Sequence, residues 1–234
     1  YSVAARDGRE HEVEVYFEAS PRWALDQPYQ QSASKGYEAD GLLYLKSGSK
    51  EQNILAKQGD DLRIDWGYFY MVAGKENTAY SVGNSTELRK NFVNGTLNSA
   101  SLEGEDSNGN MALVRSHGKV KNVTDKIMLG YDDIYSIQYF GTNLRPYWNS
   151  KGDRTIEAEM LAAYNEYDKL LARCYAFDKK LMEDASAAGG KEYAELCALA
   201  YRQSIAAHKL VEAPNGDLLL SLIHISEPTR HSLI

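Results

Sequence analysis

The protein has 234 residues, of which 43% are hydrophobic and 25% charged, enough for one large domain or two smaller ones. Its net charge of -7 excludes a general polyanion-binding protein, because affinity for a phosphate backbone requires clustered Lys and Arg. We therefore expect no nucleic-acid partner, and no apolar run approaches the ~20 residues that a membrane span needs.

The first 130 residues show the patterns of short β-strands. In residues 10–18, Val13, Val15 and Phe17 alternate with polar residues, which is the period of a half-buried strand. Similar short runs follow, separated by Gly, Asn, Asp and Ser clusters that are typical of turns. These runs cover residues 41–45, 62–73, 78–82, 111–116 and 126–131. The pattern predicts a β-sandwich over residues 1–130.

The segment 64–70, IDWGYFY, lies inside one of these predicted strands. As an alternating strand it would direct Ile64, Trp66, Tyr68 and Tyr70 to one face. The simplest interpretation is a core or inter-domain face, and the alternative is that Asp65 and Trp66 serve a site.

Residues 131–148, YDDIYSIQYFGTNLRPYW, combine six aromatic residues with two adjacent carboxylates and one arginine where the β pattern ends. Binding sites favour such domain junctions. In an extended chain Asp132 and Asp133 point to opposite sides, so one of them can serve a pocket as a general base or as an anchor for a substrate ammonium. Arg145 can clamp a carboxylate with its planar guanidinium. The structural alternative is that Asp132 caps a turn, Arg145 pairs with it, and the aromatics join two domains.

After residue 148 the period changes to that of helices. Apolar residues recur at three- and four-residue steps from about 155 to 186, and a second helix is predicted at about 191–212. Gly189 and Gly190 between them suit a left-handed helix end. The two helices form an αα-hairpin, which cannot enclose a core alone and must pack on further helices or on the β domain.

Polar residues interrupt the second predicted helix at Arg202, Gln203 and His208. Tyr201 and His208 are seven residues apart and would share a helix face, where the imidazole could transfer protons. The alternative is a satisfied buried histidine or one that faces solvent.

The sequence indicates no cofactor. Cys174 and Cys197 fit no metal-binding spacing and lie among apolar residues, so we expect buried free thiols. No Ser-His-Asp order, P-loop or dinucleotide fingerprint is present, and no histidines lie at metal-ligand spacing.

Three segments together resemble the glutaminase A family, a group of large, often secreted proteins of fungi and bacteria. They are IDWGYFY, residues 131–148, and the long stretch 166–210 that ends in AYRQSIAAHKL. The resemblance implies that residues 1–130 are the family's N-terminal β domain. Residues 131–219 are then the start of its central helical domain, which resembles a six-hairpin (α/α) toroid. A secreted or periplasmic location is also implied.

The resemblance further implies hydrolysis of the side-chain amide of L-glutamine, with this small molecule as the partner. The candidate catalytic residues are Asp132 and Asp133. The candidate substrate-binding residues are Tyr139, Arg145, Trp148, Arg202 and His208. Two alternatives stay open, namely a six-hairpin, glycosidase-like carbohydrate-active enzyme and a non-catalytic binding protein, because a fold alone does not fix a function.

The C-terminal residues have a different origin. Residues 220–230, LSLIHISEPTR, are identical to the translation of a widely used transposase sequencing adapter. We therefore expect residues 220–234 to be adapter-derived and poorly ordered, with the natural reading frame ending near Leu219. The chain is then a fragment, and we expect a fragment of the central domain to lack activity.

Overall fold

The computed structural model describes residues 1–57, 63–97, 106–107, 109–206 and 208–222, with only the backbone for 106–107 and 221–222. It divides into two units, the first ending at Asp133 and the second beginning at Ile134. The sequence pattern placed the boundary after residue 130. Strands and helices both contribute, so the expected combination of β and α structure is confirmed.

The first unit is built mainly from antiparallel strands. Its strands are β1 Ser2–Ala4, β2 His11–Ala19, β3 Ser32–Ala39, β4 Leu42–Ser49, β5 Tyr68–Gly74, β6 Thr78–Gly83, β7 Asp106–Ser107, β8 Asn110–Val120, β9 Asn122–Thr124 and β10 Met128–Asp132. One sheet has the order β10-β5-β4-β3-β7, a second has the order β2-β8-β6, and β1 pairs with β9. The unit also contains a short 3-10 helix, Pro21–Ala24.

Both larger sheets contribute to one hydrophobic core. Alternate residues of β5 face it, as do Leu45 of β4 and residues of β2, β6 and β8, and alternation of this kind is the period of a half-buried strand. The core contains Ala19, Ala24, Leu45, Phe69, Met71, Ala73, Val82, Met111 and Leu113. Burial of each large apolar side chain contributes roughly 1.5–3 kcal/mol, so this cluster stabilises the unit.

A helix within the first unit was not predicted. α1, Ser85–Val93, follows Asn84, whose side-chain oxygen accepts hydrogen bonds from the backbone N–H groups of Thr86 and Glu87 at 3.0 and 3.4 Å. Asn is a favoured N-cap, and Glu87 in the first turn complements the helix dipole. The motif NSTE is therefore a helix-start signal that the strand interpretation of this region overlooked.

The strand predicted over residues 62–73 is wrong in its first part. β5 begins at Tyr68, because Gly67 has a φ of 76° and turns the chain out of the extended conformation. Ile64 and Trp66 therefore do not continue the face of Tyr68 and Tyr70. Residue 62 lies outside the described residues.

The second unit contains a long helical hairpin and two small β-hairpins. Its elements are β11 Ile137–Tyr139, β12 Thr142–Leu144, the 3-10 helix Tyr147–Asn149, α2 Ile156–Asn165, α3 Tyr167–Ala206, β13 His208–Glu212 and β14 Leu218–Leu222. Within α3, Gly190 has non-helical dihedrals (φ 82°, ψ -177°), and the rings of Phe177 and Tyr201 lie 5.1 Å apart. The predicted turn at Gly189 and Gly190 is therefore present.

Both predicted helix ranges need correction. The first, 155–186, is interrupted at Glu166, whose ψ of 5° separates α2 from α3 directly after Asn165, a poor helix former. The second, 191–212, ends at Ala206 because residues 208–212 form β13 and pair with β14. Tyr201 and His208 consequently do not share a helix face.

The cysteines and the tail also differ from expectation. Neither Cys174 nor Cys197 is in a disulfide, but Cys174 is exposed and Cys197 only half-buried, because much of the α3 surface is open. Leu220–Leu222 belong to β14 rather than to an unordered tail, and residues 223–234 lie outside the described residues. Within the described residues no helix has the length and apolarity to cross a membrane.

The β13–β14 hairpin allows a test of whether β13 depends on the tail. Three of its pairs, those of His208, Lys209 and Leu210, involve residues 220–222. In a chain ending at residue 219 we expect the amides of 208–210 to exchange hydrogen faster, because their hydrogen-bonded partner strand is removed. Hydrogen exchange with mass spectrometry measures this, and a chain ending at residue 222 is the control. Equal protection in both chains would show that β13 does not depend on the tail.

Gly67 gives a second test. A Cβ at this position would lie 2.2 Å from the carbonyl oxygen of Asp132, in addition to the cost of the positive φ. We expect Gly67→Ala to lower the free energy of unfolding by about 2–5 kcal/mol, measured by denaturant titration. The matched control is Gly41→Ala, which has a similar φ of 79° but no atom within 4 Å of the added Cβ. Equal losses in both variants would refute a steric requirement at Gly67.

Candidate functional site

The two predicted catalytic carboxylates lie at the end of β10, where IDWGYFY packs against it. Asp132 is the last residue of β10 and pairs with Tyr68, whereas Asp133 follows the strand and is only 1% exposed. The Trp66 Nε1 donates a hydrogen bond to the Asp133 carbonyl oxygen at 2.8 Å. The Tyr131 hydroxyl donates a hydrogen bond to the Trp66 carbonyl oxygen at 2.5 Å. These contacts fix the backbone that carries both carboxylates.

The pKa of Tyr131 reflects the negative charges at the end of β10. Burial raises the pKa of its phenol above the ordinary value of 10.0, and the negative charges of Asp133, Asp65 and Asp132 raise it further. Three carboxylates therefore surround one phenol, which stays protonated at neutral pH and acts as a hydrogen-bond donor. We call Asp26, Asp65, Asp132 and Asp133 the acidic cluster, since Asp26 is joined to Asp65 by a shared lysine.

The shared lysine is Lys57. Its Nζ lies 3.0 Å from Asp26 Oδ2 and 3.1 Å from Asp65 Oδ2. The two carboxylates are buried, whereas the Lys57 side chain is 42% exposed. Gln30 adds a hydrogen bond from its Nε2 to Asp65 Oδ2 at 2.9 Å. Lys57 therefore offsets two buried charges that would otherwise be costly to keep ionised.

The hydrogen bond from Lys57 holds the pKa of Asp26 below its ordinary value of 3.8. The reciprocal bonds to Asp26 and Asp65 hold the pKa of Lys57 above 10.5. Asp26 and Lys57 are therefore both charged at neutral pH, and their contact acts as an ion pair rather than as an acid and a base that exchange protons.

Asp132 and Asp133 differ in what they can do chemically. A general base must come within hydrogen-bonding reach of the proton that it takes, directly or through one water. Asp133 is almost fully buried, whereas Asp132 is half-buried and lies at a strand end. Of the two predicted catalytic residues, Asp132 therefore has the side chain that a ligand can reach more easily.

The predicted substrate-binding residues all belong to the second unit. Arg145 places its guanidinium carbon 4.8 Å from the centre of the Tyr135 ring, a cation–π arrangement. A Cβ on Gly152 would lie 3.2 Å from the Nε of Arg145, so the backbone passes close to this side chain. Tyr139 packs on the small core of Ile137, Leu144 and Val211 and makes an edge contact with Phe140. Pairing of Arg145 with Asp132 would join two units and stays a prediction.

Trp148 lines a cleft of about 290 Å³ together with charged residues of both signs. Lys151 and Ser150 both bond the carboxylate of Glu212 there, at 2.5 and 2.8 Å. A carboxylate and an ammonium together could bind a zwitterionic ligand. In this cleft, however, Glu212 and Lys151 form an ion pair with each other.

Arg202 and His208 lie elsewhere. Arg202 is exposed and lines the groove between the two arms of α3, a different cleft from that of Trp148. His208 is the first residue of β13, and its Nδ1 contacts the carbonyl oxygen of Ser204. The structure therefore does not gather the predicted substrate-binding residues into one described cleft.

Sequence reasoning missed Asp26, Gln30 and Lys57. They lie in segments without hydrophobic periodicity, and only the fold brings residue 26 next to residue 65. The one available signal was Asp65 inside IDWGYFY, a carboxylate within an otherwise apolar and aromatic run. Within the described residues no group of three His, Cys, Asp or Glu side chains has the arrangement of a metal site.

The Lys57 network makes a pH-dependent contribution to stability. Because the folded pKa of Asp26 is depressed, this contribution is present above pH ~4 and is lost as the pH falls through the folded pKa. Because the folded pKa of Lys57 is raised, the contribution is also lost well above pH ~10.5. We expect Lys57→Met to destabilise the protein between these limits and to approach the wild type as the pH falls below the folded pKa of Asp26.

Denaturant titrations across this pH range measure the difference in free energy of unfolding between Lys57→Met and the wild type. Lys75→Met is the control, since Lys75 pairs with Glu38 where both side chains are about half exposed, and such pairs contribute little. A difference that does not change with pH would show that Lys57 contributes by packing alone.

Comparison with known proteins agrees with the family features of the sequence. Glutaminase A of Aspergillus oryzae is 26% identical over an alignment that covers 93% of this chain and 33% of that protein. The chain thus spans about a third of the length of that curated relative. The family described as "Domain of unknown function (DUF5127)" matches residues 1–184. Since this match covers most of the chain, the protein belongs to the DUF5127 family.

Proposed function

We propose that this chain is part of a hydrolase that converts L-glutamine to L-glutamate and ammonia. The observation that carries the proposal is the similarity to Aspergillus oryzae glutaminase A, because it extends over 93% of the chain. The first unit is then the N-terminal β-sandwich of the enzyme, and the helices of the second unit begin a six-hairpin domain. On this proposal residues 220–234 are the adapter-derived tail.

The site chemistry assigns partial roles. Hydrolysis of an amide needs an activated water or nucleophile, stabilisation of the oxyanion, and a proton for the departing ammonia. Asp132, at the accessible end of the acidic cluster, is the candidate base or the anchor for the substrate ammonium. Arg145 is the candidate partner for the substrate carboxylate, since its planar guanidinium is already oriented by Tyr135. Within the described residues we assign no oxyanion donor and no acid for the departing ammonia.

The geometry argues against the glycosidase alternative in one respect. Glycoside hydrolysis needs two carboxylates that flank a bond, one of them protonated or acting on water. Asp26 and Asp65 converge from distant parts of the sequence, but both are buried and both bind the same lysine. Such a pair holds the fold together and is not available to an acid–base reaction.

Ammonia release from L-glutamine tests the proposal. We expect the 234-residue chain to give only the blank rate, and the full-length protein, obtained by extending the coding sequence past codon 219, to turn over. In the full-length protein, Asp132→Asn should lower kcat/KM by about 100-fold or more, because a positioned base contributes this much. Asp40→Asn is the control, since Asp40 is exposed in a turn whose positive φ suits Asn.

Each outcome separates one part of the proposal. Lack of glutamine turnover by the full-length protein would refute the proposed activity. Turnover by the 234-residue chain would refute the requirement for the remaining sequence. Full activity of a folded Asp132→Asn enzyme would remove Asp132 from the site while leaving the activity in place.

A further inference from the structure

Three lysines of the first unit line one cavity. Lys35 of β3 and Lys46 of β4 lie directly opposite each other in the antiparallel register, and Lys50 follows the end of β4. All three line a cavity of about 440 Å³, together with Ser49, Gln52 and Tyr68 among others. This volume lies within the range of small-molecule sites.

The positions of Lys35 and Lys46 place two positive charges close together. Like charges directly opposite each other on neighbouring strands destabilise a sheet. Within the described residues neither Lys35 nor Lys50 forms an ion pair with a carboxylate, although the whole chain has a net charge of -7. By contrast, Lys75, at the end of the neighbouring strand β5, pairs with Glu38 at 2.6 Å. A bound anion would stabilise such a cluster of positive charges on an otherwise acidic protein.

The floor of the cavity is fixed by packing and hydrogen bonds. Gln52 donates from its Nε2 to the carbonyl oxygens of Ser49 and Gly67, and its Oε1 accepts from the Gly67 N–H at 2.7 Å. A Cβ on Gly48 would lie 2.6 Å from both Gly67 and Tyr68, so the backbone passes closely there. The Lys46 Nζ lies 3.5 Å from the centre of the Tyr68 ring, which holds its ammonium at one wall.

We propose that this cavity binds a doubly charged oxyanion of the phosphate or sulfate type. Ammonium groups bind such anions as compact point charges with several hydrogen-bond donors. Lys35 and Lys50 supply the charge, and Lys46 holds the third positive group in place over Tyr68. The volume exceeds that of a bare ion, so the site has room for the phosphate or sulfate ester of a small molecule. This binding site is independent of the proposed glutamine hydrolysis.

The test is an NMR titration of the 234-residue chain with sodium phosphate, with the ionic strength held constant by sodium chloride. We expect saturable shifts of the backbone amides of Gly48, Ser49 and Lys50. Lys35→Gln and Lys50→Gln should each weaken the dissociation constant about tenfold, the loss expected for one charge-assisted contact. Lys121→Gln is the matched control, since Lys121 is an exposed lysine outside the cavity.

Parallel titrations with sulfate and glucose 6-phosphate distinguish a free ion from an ester, and saturable, lysine-dependent binding of either supports the site. Absence of saturation up to about 50 mM overturns the proposal, because any dissociation constant would then be far weaker than that of ordinary ligands. Equal weakening by Lys121→Gln would show unspecific attraction and also overturns it.

Thermal unfolding without phosphate tests whether Lys35 has a structural role. If the lysine serves a ligand, Lys35→Gln should leave the Tm unchanged or raise it, because it removes the repulsion with Lys46. Phosphate should then raise the Tm of the wild type more than that of the variant. A lower Tm of the phosphate-free variant would mean that Lys35 stabilises the fold, and would overturn the proposal.

Discussion

The close passage of Gly67 against the end of β10 is the constraint on which the candidate site depends. Only a residue without a side chain fits where a Cβ would meet the Asp132 carbonyl oxygen at 2.2 Å. The positive φ of Gly67 also turns the chain, so that Trp66 points to the Asp133 carbonyl and β5 begins at Tyr68. Two distant sequence motifs are thereby held together, and the position of Asp132 and Asp133 follows from backbone geometry before any catalytic role is considered.

Electrostatics then divides the carboxylates of this corner into two kinds. Asp26 and Asp65 are buried and share Lys57, so their charges are neutralised within the fold. Asp132 is half-buried at a strand end, where its charge can act on a ligand. The protonated Tyr131 phenol lies among these charges and bonds the backbone of Trp66. The buried pair therefore supports the corner, while Asp132 is the half-buried carboxylate of the cluster.

Much of the fold could be predicted from the sequence because the periodicity of a strand or helix is visible within a short stretch of residues. Alternation in residues 10–18 and the apolar run 41–45 correspond to β2 and β4, and the glycine pair at 189–190 marks the turn within α3. The failures have physical causes that lie outside a short window. The strand His208–Glu212 forms by pairing with residues 218–222. Gly67, with its positive φ, interrupts a strand pattern that is continuous in the sequence.

The candidate site was predictable only in part for the same reason. Asp132, Asp133 and Asp65 stood out because carboxylates within aromatic runs are unusual. Lys57 and Asp26 had no such context, since their importance comes from a contact between residues 31 positions apart in sequence. Likewise, Lys35 and Lys46 are ordinary surface lysines until the register of β3 and β4 places them opposite each other. Tertiary pairing, not residue type, gives these groups their role.

Tyr68 connects the two charged regions of the first unit. In the sheet it pairs with Asp132 of β10, and its ring carries the Lys46 ammonium on the side of the lysine cavity. Residues paired across antiparallel strands lie only ~4.5–5.5 Å apart at their Cα atoms, so the carboxylate and the lysines are within reach of each other's field. Tyr68 therefore serves both regions through different parts of the residue, since its backbone pairs with the end of β10 and its ring contacts a lysine of the cavity.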